Sequence, residues 1–407
     1  MYNNPPKNWK IYKLKELYDI KRGSSPRPIE KFLTTDPDGI NWIKIGDAKI
    51  DSKYIEETKE KITVEGAAKS RFVEEGDFIL SNSMSFGRPY IMKTRGCIHD
   101  GWLVLKERQD GLIFKDFMYY ILSSENVYSQ FKNAAAGGVV SNLNIQRVEN
   151  VIVPIPPTLA EQQEIVQVLD TMSDIIRLRE ECISHAQDLI PALFQEMFDN
   201  PQTNKKNWQI CCLKDLAKID RQNISPEELK TKQYTYIGLE HIEKETGRIL
   251  VDPNSQQDID LKSNKFFFTN NHVLYGKLRP YLNKVALPDF DGVCSTDIFP
   301  LLPLEGISNK YFLKVLMNTS YFVNMANSQS SGANLPRIGT TALENIKVFK
   351  PDYTLQEQFA QKVIEIEAYI KEQQEEFANA KQMFQSLLHH AFTGELTRHK
   401  FGGDANG

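Results

Sequence analysis

The fifteen residues from Asn8 to Arg22, NWKIYKLKELYDIKR, return from Asn207 to Arg221 as NWQICCLKDLAKIDR, with eight identities. Thr158-Leu159-Ala160-Glu161-Gln162 likewise recurs as Thr354-Leu355-Gln356-Glu357-Gln358. A spacing of about 195 residues is far longer than the repeat of a solenoid. It describes two similar domains, each followed by a helix of its own. Two equivalent heads on one chain suit a target that itself has two halves.

The 407 residues leave room for two or three domains with cores of their own. With 41% hydrophobic and 25% charged residues the chain has the make-up of an ordinary globular protein. No apolar run approaches the ~18 residues a membrane span needs, and the polar start MYNNPP carries no signal-peptide pattern, so a cytoplasmic location without membrane contact is expected. Five cysteines, at 97, 182, 211, 212 and 294, form no metal-ligand spacing. Cys97 and Cys294 are expected at the same place on equivalent strands, as small buried residues. The net charge of -4 averages unlike parts: residues 1–150 carry +3, 151–200 carry -7, 201–345 carry +2 and 346–407 carry -2. The mildly basic segments permit phosphate contact, while the acidic ones suit protein or water.

The two large segments mix short alternating apolar runs with turn residues, as α+β domains do. Ile40–Gly46 and Tyr234–Gly238 read as one equivalent pair of strands, Phe78–Leu80 and His272–Tyr275 as another. Phe114–Phe131 and Lys310–Met325 read as helices. The divisions expected are a first domain over 1–157, a helix over 158–198, a linker over 199–206, a second domain over 207–352, a second helix over 353–396 and a flexible tail over 397–407. Thr158 and Thr354 are expected as N-caps, with Glu161 and Glu357 completing capping boxes. Pro191 is expected to kink or end the first helix.

Both tails carry heptads. Leu169, Met172, Ile176, Ile183, Ala186, Ile190, Leu193 and Met197 repeat 194 residues later as Val363, Ile366, Ile370, Phe377, Ala380, Phe384, Leu387 and Ala391. A seam sustained over this length predicts an antiparallel coiled coil of the two helices with pseudo-twofold symmetry. Its one polar layer is Arg179 in the first helix and Gln373 in the second. Two readings stand for it: a core layer that fixes register, or an arginine that snorkels to solvent.

This layout resembles the specificity subunit of type I restriction–modification enzymes. The Asn-Trp…Leu-Lys…Leu openings, the approaches to the helices over Pro154–Gln162 and Pro351–Gln358, and the ending Leu388–Leu396 all resemble that family. The likeness runs from about Asn8 to Leu396, carried by the order and duplication of the motifs. It implies two target-recognition domains, each reading one half of an asymmetric double-stranded DNA sequence. It implies that the paired helices set the half-site spacing and dock two methyltransferase subunits, joined by endonuclease/translocase subunits. S-adenosylmethionine, ATP and Mg would sit on those partners, with no cofactor on this chain. The chain itself would be non-catalytic. A coiled-coil interaction adaptor without DNA specificity is the alternative.

Candidate DNA contacts lie in loops. Arg88-Pro89-Tyr90 and Arg279-Pro280-Tyr281 look like equivalent loops; arginines shared by domains that read different sequences favour phosphate over base contact, and a structural Arg–Tyr pair is the competing reading. Asn142 and Asn334 lie in Gly/Ser/Asn loops suited to close backbone approach, or to turn chemistry alone. Arg22, Ser24, Ser25, Arg27 and Lys44 in the first unit, and Arg221, Gln222, Lys277 and Arg337 in the second, complete the candidates. No glycine-rich cofactor loop, Walker loop, nuclease motif or histidine constellation is found; the lone Asn4-Pro5-Pro6 is followed by Lys7 rather than an aromatic residue.

Overall fold

The computed structural model describes residues 8–49, 52–82, 87–135, 143, 145–232, 234–252 and 263–401. The chain forms two compact units: one takes residues up to Leu178 together with those from Phe377 on, the other runs from Arg179 to Glu376. Among the described residues each unit holds two larger sheets and a two-stranded ladder.

In the first unit one sheet orders its strands Tyr18–Arg22, Trp102–Glu107, Phe78–Ser81, Pro89–Met92, Tyr54–Ile55. The other orders Leu33–Thr34, Glu60–Ile62, Ile40–Ile43, Gly96–Ile98, Arg71–Val73. The second unit repeats the plan with four strands in each. Ala217–Ile219, Ile298–Pro303, Val273–Gly276 and Val285–Ala286 form one sheet; Asn223–Ile224, Lys265–Phe268, Gly292–Cys294 and Thr235–Ile237 form the other. The duplicated opening closes each domain: Lys10–Lys13 pairs antiparallel with Ile152–Ile155, and Gln209–Cys212 with Lys347–Lys350.

Strand register corrects the expected cysteine equivalence. Ile98 pairs with Ile43 in the first unit, and Cys294 with Ile237 in the second. Cys294 therefore matches Ile98, and Cys97 matches Val293. One residue is one face of a strand. Cys97 packs with Trp42 and Ile62, whereas Cys294 packs on the opposite face with Ile237, Phe268 and Leu274. Both cysteines are fully buried.

The helices expected over 114–131 and 310–325 are each two helices. Lys115–Ser123 is followed by Glu125–Ala135, and Lys310–Asn318 by Ser320–Ser328. The break is built by a hydroxyl in extended backbone. Ser124 Oγ donates to Ile121 O at 2.6 Å, and Thr319 Oγ1 to Leu316 O at 2.7 Å; each then accepts from the next helix, from Val127 N and Phe322 N.

The long helices span Leu159–Phe198 and Tyr353–Phe392. Pro191 lies inside the first without ending it. Beyond it Phe194 and Phe198 are buried among Phe312, Phe349 and Phe359, and this packing holds the helix past the proline. Pairing is antiparallel. In the second unit Arg179 meets Gln373, Cys182 meets Tyr369 and Phe194 meets Phe359, so one number rises as the other falls. In the first unit Leu169 shares a core with Leu388, Ala391 and Phe392. Leu169, Met172, Ala186, Val363 and Ala380 are buried, and Ile176, Ile183, Ile366, Ile370 and Phe377 half-buried, as a seam requires.

Arg179 joins the polar layer rather than leaving it. Its Nη1 donates to Gln373 Oε1 at 3.1 Å and pairs with Glu376. With 31% of its side chain exposed, the pair contributes at most about 1 kcal/mol, so its effect is on register more than on stability.

The shared Glu-Gln of the two helix starts has a structural basis. Gln162 and Gln356 are buried; each accepts from a domain backbone N–H, Phe114 or Asn309, and donates to a backbone carbonyl, Leu112 or Ile307. Each glutamine thus staples its helix to its own domain. The capping boxes do not form as expected. Thr158 accepts from Glu161 N, but the Glu161 carboxylate instead accepts from Trp9 Nε1 at 3.0 Å and Thr397 Oγ1 at 2.8 Å. Thr354 lies inside its helix, which starts at Tyr353. The segment from 397 is not all loose tail: Thr397 is buried, Arg398–Phe401 is a helical turn, and Lys400 pairs with Glu164.

Two imidazoles, His272 buried and His99 half-buried, make the fold sensitive to acid. Burial lowers the pKa of His272, against the opposing pull of Asp220; burial likewise lowers that of His99, opposed by Asp100. Both folded values lie below the unfolded one, near 6.5. Their stabilising contribution is present above about pH 6.5 and lost as pH falls through the folded values. Thermal melts are expected to shift down between pH 7 and pH 5, and His272→Gln is expected to reduce the shift of the second unit. A shift unchanged by that substitution would assign the acid sensitivity elsewhere.

Candidate nucleic-acid interface

In the second unit three stretches converge on one cleft. Lys277 N donates to Asp297 O at 3.0 Å, Ile338 N to Lys277 O at 3.1 Å, and Arg279 N to Pro336 O at 2.7 Å. This backbone ladder brings together Arg221, Lys277 and Arg337 at a cleft of about 310 Å³. Asp297 stands between two of the cations: Lys277 Nζ lies 3.6 Å from one carboxylate oxygen and Arg337 Nη2 lies 3.7 Å from the other. Arg221 Nη1 reaches Thr340 Oγ1 at 3.4 Å. These contacts are longer than good N–H···O hydrogen bonds, so donors and acceptor keep capacity for a ligand.

The first unit builds two rungs of the same ladder among its described residues. Asn82 N donates to Gly101 O at 2.8 Å, and Leu143 N to Asn82 O at 3.2 Å. Ser81 and Gly276 pair with Trp102 and Ile298 respectively, which fixes the correspondence. Asn82 thus stands where Lys277 does, and Gly101 where Asp297 does. The turn before them is capped alike, by His99 Nδ1 accepting from Gly101 N and Ser295 Oγ accepting from Asp297 N. Size decides the rest: a Cβ on Gly101 would come within 2.2 Å of the His99 ring, whereas Ser295 leaves Asp297 its space. Asn82 is fully buried, and its carboxamide has no partner among the described residues. Sequence reasoning passed over Asn82 and Asp297, which carry no local motif, and over Glu376, which flanks the core positions of the heptad.

The other candidates divide. Around Asp100, Arg22 Nε donates to the backbone carbonyl at 2.9 Å, Ser25 Oγ to the carboxylate at 2.9 Å, and Arg27 Nη2 stands 3.8 Å away. Desolvation raises the Asp100 pKa, but the Ser25 hydrogen bond and nearby charges outweigh it and hold the carboxyl below its ordinary value. Ser24 Oγ donates to Lys69 O, and Lys44 pairs with Glu60. Asn142 lies outside the described residues, and Asn334 is exposed. Leu143 and Ile338 hold the same ladder place.

The two Arg-Pro-Tyr triplets are not equivalent. Pro89 and Tyr90 lie within a strand, and Tyr90 is buried edge-on to Trp102, so its ring supports the sheet and does not face DNA as expected. Pro280 and Tyr281 lie in a 3-10 turn ahead of the matching strand, with Tyr281 51% exposed. Arg88 and Arg279 are both exposed, Arg279 in the left-handed region at φ 51°. Their common identity no longer argues for a common role.

The helix pair offers a second repeated feature. In the first unit Val168, Thr171, Met172, Ile175 and Leu387 line a groove of about 330 Å³. In the second, Lys362, Glu365, Ile366, Tyr369 and Leu193 line one of about 460 Å³. Each residue of the first maps onto the second at an offset of 194. Ile175 and Tyr369 remain 39% and 44% exposed.

Among the described residues no group of three or more His, Cys, Asp and Glu side chains is placed to hold a metal, and no helix is long and apolar enough to cross a membrane.

A family model described as the type I restriction modification DNA specificity domain matches residues 6–185 and 205–376. The chain is 31% identical over 195 residues to the EcoDI type I restriction enzyme specificity subunit of Escherichia coli, across 47% of this chain and 43% of that one. It is 21% identical over 418 residues to the MjaIX specificity subunit of Methanocaldococcus jannaschii, across 96% of this chain and 94% of that one. A chain solved in a study of assembly and conformational transition in the type I R-M system shares the fold, with a TM-score of 0.62 at 14% identity, over 97% of this chain and 100% of that one.

Proposed function

We propose, for a chain that belongs to the type I restriction modification DNA specificity family, that its two domains each read one half of an asymmetric bipartite sequence in double-stranded DNA. One observation carries this reading. The two domains share a backbone ladder but line it with different side chains: Asn82 and Gly101 in one, Lys277 and Asp297 in the other. A common framework with exchanged lining is what two readers of unlike sequences need.

The two matching grooves of the helix pair support docking of two copies of one partner, the methyltransferase subunit, with endonuclease/translocase subunits joining that core. Adenine methylation and DNA translocation would then draw on S-adenosylmethionine, ATP and Mg held by those partners. The role proposed for this chain is recognition, and for its helices the spacing between half-sites.

The test is methylation-sensitive sequencing of DNA from cells expressing the chain with its neighbouring methyltransferase, against cells lacking the chain. The expected result is methyladenine in one asymmetric motif, two short halves around a fixed unspecified gap. Methylation that does not depend on the chain would reject the reading and favour an interaction adaptor.

A further inference from the structure

The cleft of the second unit has, beside its lining residues, a carboxylate that a phosphate site lacks. Three cations line it, and Asp297, 31% exposed at its side chain, is shared between two of them. A carboxylate at that position repels a phosphate. It accepts, however, from an amino group, and in the major groove cytosine presents N4–H₂ beside the N7 and O6 acceptors of guanine. Lys277 and Arg337 supply donors for those two acceptors.

The comparison between domains points the same way. Phosphates are identical in both half-sites, so a residue that contacts them can be shared. Arg22 and Arg221 are such a pair, at matching places beside the central strands. Bases differ between half-sites, so the residues that read them must differ. At the ladder the pair Lys277 and Asp297 is replaced by Asn82 and Gly101.

We propose that Lys277, Asp297 and Arg337 form a base-reading site for one guanine–cytosine pair, with Asp297 the residue that selects cytosine. Lys277 and Arg337 donate to guanine N7 and O6, and Asp297 accepts from the cytosine amino group. This inference rests on the DNA-specificity reading above. The 3.6 and 3.7 Å separations leave the carboxylate and both cations short of full hydrogen bonding in the free protein. Binding the base pair completes them.

The experiment is methylation-sensitive sequencing of cells carrying the neighbouring methyltransferase and either the natural chain or one of three variants: Asp297→Asn, Lys277→Asn and Arg337→Gln. Asp297→Asn keeps the shape and removes the charge, and Lys277→Asn installs the residue found at this place in the first domain. The expected result is a motif with a guanine–cytosine pair at one position of one half. All three variants should relax that same position by roughly tenfold or more, with the other half still read unchanged. Three results overturn the proposal: relaxation at an adenine–thymine pair, methylation altered evenly at all positions as a phosphate contact predicts, or complete loss with every variant, which marks the cluster as structural. A natural chain that directs no motif overturns the underlying reading itself, and the proposal with it.

Discussion

Inserting one heptad into both long helices, beside Arg179 and beside Gln373, is expected to widen the unspecified gap of the methylated motif by about three base pairs. Seven residues add roughly 10.5 Å at ~1.5 Å per residue, against ~3.4 Å per base pair. A heptad nearly restores the facing of the seam, with a drift of about 20°, so the pairing is kept at both ends. Three base pairs also turn the duplex by about 100° at 10–10.5 base pairs per turn. Methylation at the widened motif is therefore expected to be slower than at the natural one. Insertion into one helix alone would part Arg179 from Gln373 and Glu376, and reduced methylation of any motif is expected. Sequencing the methylated sites reads all of these outcomes. An unchanged gap in the double insertion would reject the helices as a ruler.

The second large effect concerns the anchor of the first helix in the second unit. Phe198 is fully buried, with ring centroids 5.0 Å from Phe312, 5.2 Å from Phe359 and 5.1 Å from Phe194. Phe198→Ala is expected to destabilise the unit by about 3–5 kcal/mol, the transfer loss plus the cavity left behind. Denaturant unfolding should show the transition of the 179–376 unit moved to lower denaturant, and the other transition in place. A loss below about 1 kcal/mol would mean that the cluster refills the space and that the ring does not anchor the helix.

The seam was the most legible part of the sequence. A repeat of 3.5 residues sustained over four heptads in two copies has no competing explanation, and the polar layer stood out because it was the one exception. The domains were harder to read, since their strands are two to six residues long. Over such lengths an alignment that is off by one still looks right, and the cysteines show it: identical letters sit one residue apart and on opposite faces. The Arg-Pro-Tyr triplets misled in the same way, one inside a strand and one in a turn. What fixed the true equivalence was the hydrogen-bond ladder, which the sequence does not display. That ladder also brought forward Asn82 and Asp297. Neither carries a local motif, and each gains meaning only from the residue opposite.

The composition of the two units has a consequence for how the protein is made. The second unit is one unbroken stretch of chain, Arg179 to Glu376, whereas the first needs Leu388, Ala391 and Phe392 to finish the core begun by Trp9, Leu14 and Phe117. On the ribosome, at about 5–20 residues per second, the first-made domain waits some 10–40 s with an apolar face uncovered while the later-made one completes itself. Nascent chains stalled before residue 377 are therefore the species that most needs a chaperone.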